Sequence, residues 1–432
     1  MREQEIIGLE LKAYTKTLEN GLKVLLVPNK KEKTKNKYYM TLGTHFGALN
    51  LSFFDEFAKK QVTMPAGIAH FLEHKAFAQE NGMDPFTFFS ESGCYANAYT
   101  NYRATCFVVA GTKDLKENIS YLFDFLFHPY FTDENVEKER EIIKQEIRMY
   151  EDDCNYQASR RLFANMYQKI PLYYPVVGTE ESVSKITKEN LYHCYQTYYQ
   201  PKNMFFVMTG NFDEKEVMMA LEDKMEKIRV KDIAIKEKKY KEPVEVKKKL
   251  DILYGDVKVP KVEIGYKMER DHFPIESNLK LDLYLNMITA IAFGSTSTFS
   301  EELKRRQLTS GIGYYFKRVS NSVALIISSE CSSDMVAKQL IKELDQYLKN
   351  LKVEEEDLER IKKVWISSEI VRSDYADNFL DYFVDDIIEY QRPILNYIEL
   401  IRSMNIEELN QVVKALNFEH RAVVKLLKEE ER

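Results

Sequence analysis

Five cysteines at positions 94, 106, 154, 194 and 331 are few, odd in number and without close paired spacing. That pattern argues against a disulfide framework or a cysteine zinc site, and makes a reducing cytoplasm the expected compartment. Long apolar runs are also missing. No stretch approaches the roughly 18 uncharged residues of a membrane helix, and even "YLFDFLFHPYF" carries Asp124 and His128. The opening residues, "MREQEIIGLELKAYTKTLENGLKVLLVPN", are broken by charges throughout and hold no signal-peptide core. Nor is there an excess of one charge sign. The formal net charge of −6 gives no nucleic-acid footprint, and the basic run "KEKKYKEPVEVKKK" is interleaved with glutamates, as a solvated linker would be.

What is present is a globular composition, 44% hydrophobic and 30% charged, on a chain of 432 residues. That length exceeds one ordinary core and calls for two or three domains. Asn20-Gly21 between two alternating runs predicts a hairpin, and "KYYMTLGTHFG" a further strand. Thr63 and Pro65 are read as opening a helix. "CYANAYTNYRATCFVVAG" reads as two strands around a turn, followed by two helices, the second capped by Thr132. A helix halted before Pro201, the buried strand "NMFFVMTG" and a helix to about residue 226 close the first half.

Residues 227–257 are charged and weakly periodic, so the domain boundary is placed there. The second half repeats the element order of the first: strand, helix, two strands, two helices. Val136 aligns with Leu358, and Ile142-Ile143 with Val364-Trp365, an offset of about 222 residues. In this register Glu146 meets Ser368, and "MITAIAFGST", opposite the histidine-bearing segment, has no histidine. The expected architecture is α+β: two tandem homologous domains, each a mostly antiparallel sheet with helices packed on it, spanning 1–226 and 258–432. Only the first carries the chemistry.

That chemistry centres on "AGIAHFLEHKAF". At roughly 100° per residue, His70, Glu73 and His74 share one helix face. Two imidazoles four residues apart can reach one metal ion, and Glu73 then sits beside it as a base. Catalytic zinc takes a third protein ligand and keeps a fourth position open, lowering the pKa of water to about 7. Glu139 and Glu146, seven apart on the helix that follows, project the same way alongside Ile142, Ile143 and Met149. Acids on a semi-buried face are costly unless they meet a cation.

"GIAHFLEH", then "NAYT", then "EREIIKQE" resembles the pitrilysin/insulinase family of zinc peptidases, whose short bacterial branch is similar to the mitochondrial processing peptidase. The resemblance covers nearly the whole chain and implies half of a clamshell. It implies one zinc ion per chain held by His70, His74 and Glu146, with Glu73 as general base and Glu139 orienting the site from outside. It also implies that Asn97 and Ala98 hold substrate backbone by strand addition and that Phe77 touches the substrate near the scissile bond. The implied activity is endopeptidase cleavage of peptides or unfolded segments, leader peptides among them.

One feature departs from the family pattern. Active members carry an arginine and a tyrosine in an R-x6-Y spacing. Counting back from Tyr314 reaches Gln307, with Arg305 and Arg306 out of register. A second half-size chain supplying the pair, in a heterodimer, is therefore expected ahead of a homodimer. Two other readings stand beside this one. The chain could be a non-catalytic scaffold subunit, or the zinc could be structural and closed by His45 or Cys94.

Overall fold

The computed structural model describes residues 1–29, 36–56, 59–228 and 233–431. Two compact units emerge, and they are not the contiguous halves. The first comprises residues 1–147, 175–238 and 367–399; the second comprises 148–174, 239–366 and 400–432.

In the first unit, seven strands form one sheet. They are β1 (Arg2–Ile6), β2 (Leu11–Thr17), β3 (Lys23–Pro28), β4 (Tyr38–Thr44), β7 (Tyr95–Thr100), β8 (Thr105–Gly111) and β9 (Met204–Gly210). Between β4 and β7 in sequence, β5 (Ser52–Asp55) and β6 (Lys60–Thr63) make a separate ribbon. The order β1-β2-β3-β9-β4-β8-β7 leaves β7 at one edge. β2 and β3 pair antiparallel across Asn20-Gly21, as a hairpin. β9 runs parallel to β3 and antiparallel to β4, and every residue in it is buried.

The second unit holds β10 (Leu250–Gly255), β11 (Lys261–Glu269), β12 (Ile312–Val319), β13 (Ser322–Glu330) and β14 (Arg421–Lys428), in the order β10-β14-β11-β13-β12. β10 and β14 are parallel and the other pairs antiparallel. This is the order and sense of β3-β9-β4-β8-β7, so the repeat extends to sheet topology. Both sheets are mostly antiparallel with helices packed on them, an α+β fold.

Part of the expected linker 227–257 belongs to this sheet. Residues 229–232 lie outside the described ones, but Leu250–Gly255 is strand β10. Its alternation is faint because it sits at an edge, with Leu250 and Ile252 exposed.

The interleaving of the units follows from two amphipathic helices. The helix Cys154–Met166 lies against the second sheet, and Met166 fills the space above Gly265 of β11, where a Cβ would come within 2.1 Å of its Sδ. Its repeat counterpart, Ala376–Tyr390, packs Phe379, Leu380, Phe383 and Val384 against Leu25, Val27, Phe205 and Val207 of the first sheet. At about 25 cal/mol per Å² of buried apolar surface, such faces decide which sheet a helix joins whatever its place in the chain.

Candidate active site

The histidine helix runs Ile68–Ala76. It does not begin at Thr63, which ends β6. Its cap is Gly67, left-handed at φ 89° and without a side-chain cap bond. Gly67 and Gly178, also at positive φ, approach backbone to backbone; a Cβ on Gly67 would lie 2.6 Å from the Val177 carbonyl oxygen. Ser182 Oγ adds a 2.8 Å bond to the Ala66 carbonyl. The start of the helix is thus fixed by close tertiary packing rather than by a local cap.

The glutamate helix runs Asp133–Asp152. Thr132 Oγ1 accepts the Asn135 N–H at 3.1 Å, and Asn135 Oδ1 accepts the Thr132 N–H at 3.0 Å. Arg140 donates to the carbonyls of Ile186 at 2.6 Å and Val183 at 3.4 Å, which anchors the helix laterally. Of the apolar neighbours expected on its inner face, Ile143 is fully buried, whereas Met149 is 60% exposed and Ile142 45% exposed. Ile142 instead lines an open cavity at the site.

Among the described residues, His70, His74 and Glu146 form a group whose ligand atoms all lie within 4.8 Å of one another. Each imidazole Nε2 is 3.6 Å from the same oxygen, Glu146 Oε2. That is too long for a hydrogen bond. It suits donors on a shared ion, since tetrahedral zinc with bonds of about 2.0–2.1 Å separates its ligands by about 3.4 Å. His74 Nδ1 meets Glu139 Oε1 at 3.0 Å, which leaves the Nε2 lone pair facing inward. His70 is 7% exposed, and burial, helped by the nearby His74, pulls its pKa down to about 3, keeping the ring neutral. Burial works against a charged His74. The bond to Glu139 and the carboxylates of Glu73 and Glu146 outweigh it and raise its pKa. Burial likewise opposes charge on Glu139, but His74 holds its carboxyl low. The donor set fits zinc, two imidazoles and a carboxylate converging on one point, and zinc binding there displaces the proton that the surrounding carboxylates favour on His74.

Glu73, 8% exposed, is left out of the ligand group. Burial raises its pKa despite a 2.6 Å hydrogen bond from Thr100 Oγ1. A cavity of about 730 Å³ brings Glu73, His74 and Glu139 together with Phe77, Asn97 and Ala98. Phe77 caps the histidine helix and stacks on Phe86 at 4.5 Å. Asn97 and Ala98 sit on β7, which among the described residues pairs only with β8. The Ala98 N–H donates to Asn97 Oδ1 at 2.9 Å, so this amide lies on the open side of the strand.

The two side chains considered for closing the zinc site are engaged elsewhere. His45 Nδ1 faces Gln391 Nε2 at 3.2 Å, and Cys94 Sγ accepts from Asn118 Nδ2 at 3.2 Å. None of the five cysteines forms a disulfide. In the second unit, Arg305 pairs with Glu302 at 2.8 Å and Arg306 with Glu343 at 2.5 Å, while Gln307 is exposed at φ 57°. Among the described residues no helix is long and apolar enough to cross a membrane. Thr100 and Arg140 went unassigned in the sequence, although each lies inside a motif that drew attention, "NAYT" and "EREIIKQE".

Two histidines and a non-ligating glutamate on one helix, with an acid from a second helix, define a metallopeptidase site of the HxxEH type. A family model described as Insulinase (Peptidase family M16) matches residues 63–180, and one described as Peptidase M16 inactive domain matches 185–364. The uncharacterized zinc protease YmfH of Bacillus subtilis (strain 168) is 35% identical over 291 residues, 67% of each chain. An uncharacterized zinc protease of Rickettsia felis is 25% identical over 308 residues, 68% of this chain and 71% of that one. A crystal structure described as a putative M16-like peptidase from Alicyclobacillus acidocaldarius matches with TM-score 0.90 and 28% identity, covering 98% of this chain and 100% of that one. The chain belongs to the M16, or pitrilysin/insulinase, family of peptidases.

Proposed function

We propose that the chain is a zinc-dependent endopeptidase for extended peptides or unfolded segments, holding one zinc ion at His70, His74 and Glu146. The observation that carries this is the convergence of two Nε2 atoms on one Glu146 oxygen, with Glu73 buried beside them and outside the ligand group. Zinc in that place supplies a Lewis acid that activates water at neutral pH and polarises a carbonyl oxygen. The free edge of β7 takes the substrate as an added strand at Asn97 and Ala98, and Phe77 packs against an apolar side chain near the scissile bond.

Glu73 accepts the proton of the water that attacks the carbonyl carbon, then gives it to the nitrogen as the C–N bond breaks. Its place on the helix beside the ligands, outside the ligand group, suits both halves of that transfer. A scaffolding role would require neither Glu73 nor the carboxylate that orients His74. A heterodimer is favoured by Gln307 at the position of the family arginine and by Arg305 and Arg306 being tied up in ion pairs. A cytoplasmic chain working with a second half-size subunit is the form this takes.

The test is peptide hydrolysis by zinc-loaded wild type and Glu73→Gln, each alone and mixed with a second half-size chain of the family that lacks HxxEH. Zinc should stay near one per chain in both proteins while the variant loses about 10³–10⁴-fold in rate. Unchanged hydrolysis by Glu73→Gln sinks the base assignment. Full activity of wild type alone, unaltered by the second chain, sinks the heterodimer.

A further inference from the structure

The Glu73 carboxylate is held by a short chain of oxygens that leads back into the sheet. Thr100 Oγ1 donates to Glu73 Oε2 at 2.6 Å. Behind it, Thr100 Oγ1 lies 3.1 Å from Thr105 Oγ1, and Thr105 Oγ1 donates to the Phe46 carbonyl at 2.9 Å. Thr105 is fully buried, and the two threonines face each other across the β7–β8 pair. Each hydroxyl has one proton to give. With Thr105 committed to Phe46 and Thr100 to the carboxylate, the middle contact has none. It is accordingly the longest of the three, and the charge-assisted one is the shortest.

We infer that Thr100, packed against Thr105 with no hydrogen bond between them, is a positioning residue for the base. It commits Glu73 Oε2 to its hydroxyl and leaves Oε1 to take the proton from water. The inference rests on the peptidase reading above and deepens it. Thr100 is the last residue of β7, three positions from Asn97 on the strand proposed to hold the substrate. One strand then sets both the height of the bound peptide and the orientation of the carboxylate that serves it. A misplacement of about 1 Å in such a group costs on the order of a hundredfold in rate.

The experiment compares Thr100→Val, Thr100→Ser and Thr105→Val with wild type, as zinc-loaded full-length chains together with any second chain that activity requires. Hydrolysis of a quenched-fluorescent peptide gives kcat and KM, metal analysis gives zinc per chain, and crystal structures give the Glu73 rotamer. Thr100→Val should lower kcat by about ten- to a hundredfold with KM within about twofold, zinc unchanged and the carboxylate turned away from β7. Thr100→Ser should restore kcat to within about threefold of wild type, and Thr105→Val should fall between.

Equal losses in the valine and serine variants would make the effect one of strand packing and overturn the inference. So would loss of zinc from Thr100→Val, or a Glu73 rotamer that does not move. The rotamer and zinc readouts decide the matter even if wild type cleaves no peptide, an outcome that would count against the peptidase reading alone.

Discussion

The histidine helix and its counterpart Asn278–Phe293 each pack beside the edge strand of a sheet with the same strand order, yet they bury different chemistry. The second helix buries leucines, isoleucines, Met287 and Phe293; its buried polar groups are two hydroxyls, Thr289, which turns back to the Leu285 and Asn286 carbonyls, and Tyr284, which donates to Glu408. The first buries His70, Glu73 and Lys75 among its apolar residues. The fold therefore does not require imidazoles or carboxylates there. Burying an imidazole pair and a carboxylate costs several kcal/mol unless a cation and hydrogen bonds compensate. Their presence in one repeat and absence from the other is what the proposed zinc site accounts for. The same holds on the next helix pair, where Glu146 aligns with Ser368 in the repeat register.

The most damaging way to break the contrast is to make the first repeat resemble the second. Glu146→Ser is expected to lower zinc from near one per chain to a small fraction and to cut hydrolysis by about a thousandfold or more. The glutamate helix should persist, because Ile143 and Ile147 carry its buried face. Metal analysis and circular dichroism on the purified variant check both halves. Zinc retained at full stoichiometry would remove Glu146 from the ligand set. Ser368→Ala, the matching change in the second repeat, should alter neither quantity.

Much of this contrast is legible in the sequence. Strands β2, β3, β4, β8, β9, β11 and β13 declare themselves by alternation or by continuous apolar runs bounded by turns, and the glutamate helix by period and cap. The HxxEH spacing places three side chains on one face by helix geometry alone. What stays hidden depends on distant partners. β10 is an edge strand whose parallel mate, β14, lies about 170 residues on, so its pairing leaves no local signal. Helices Cys154–Met166 and Ala376–Tyr390 are plainly amphipathic, but an apolar face does not say which sheet it will cover. The start of the histidine helix escapes because Gly67 is fixed by contact with Gly178, far along the chain. Thr100 escapes because a strand-end threonine is ordinary until a carboxylate is seen 2.6 Å from it.

A second break targets a polar cluster that serves structure. In the second unit, Glu242 and Lys267 form a buried pair at 2.7 Å, and the Glu242 carboxylate also accepts the N–H groups of Gln168, Lys169 and Ile170 at 2.7–2.8 Å. Glu242→Ala leaves three amides without their acceptor and the Lys267 ammonium, still bonded to the Met166 and Glu245 carbonyls, without its counter-charge, and should destabilise by about 3–5 kcal/mol. Zinc stoichiometry should not change. Burial opposes charge on Glu242, but Lys267 and the amides outweigh it and hold the carboxyl below its ordinary value. Because the folded pKa is depressed, the stabilisation is complete above the unfolded pKa of about 4.5 and fades as pH falls through the lowered folded value. Urea unfolding at about pH 7 and about pH 3 measures this; a wild-type to variant difference that does not shrink at the lower pH would contradict it.

The smallest change asks whether the contrast lies in the ligands alone or in what stands behind them. Glu139 meets His74 Nδ1 at 3.0 Å and is half-buried. Its repeat counterpart is Ile361, a buried apolar residue on a helix with no histidine to orient. In Glu139→Gln the amide oxygen can still accept from Nδ1–H, but the negative charge that strengthens His74 as a donor to the metal is gone. Zinc affinity should fall by about ten- to a hundredfold, roughly 1.4–2.7 kcal/mol, with three ligands intact. Competition with a zinc chelator of known affinity reads the difference directly. If the Glu139→Gln protein binds zinc as tightly as wild type, the hydrogen bond suffices and the charge is dispensable. If affinity falls as predicted, a residue that never touches the metal is part of what separates the two repeats.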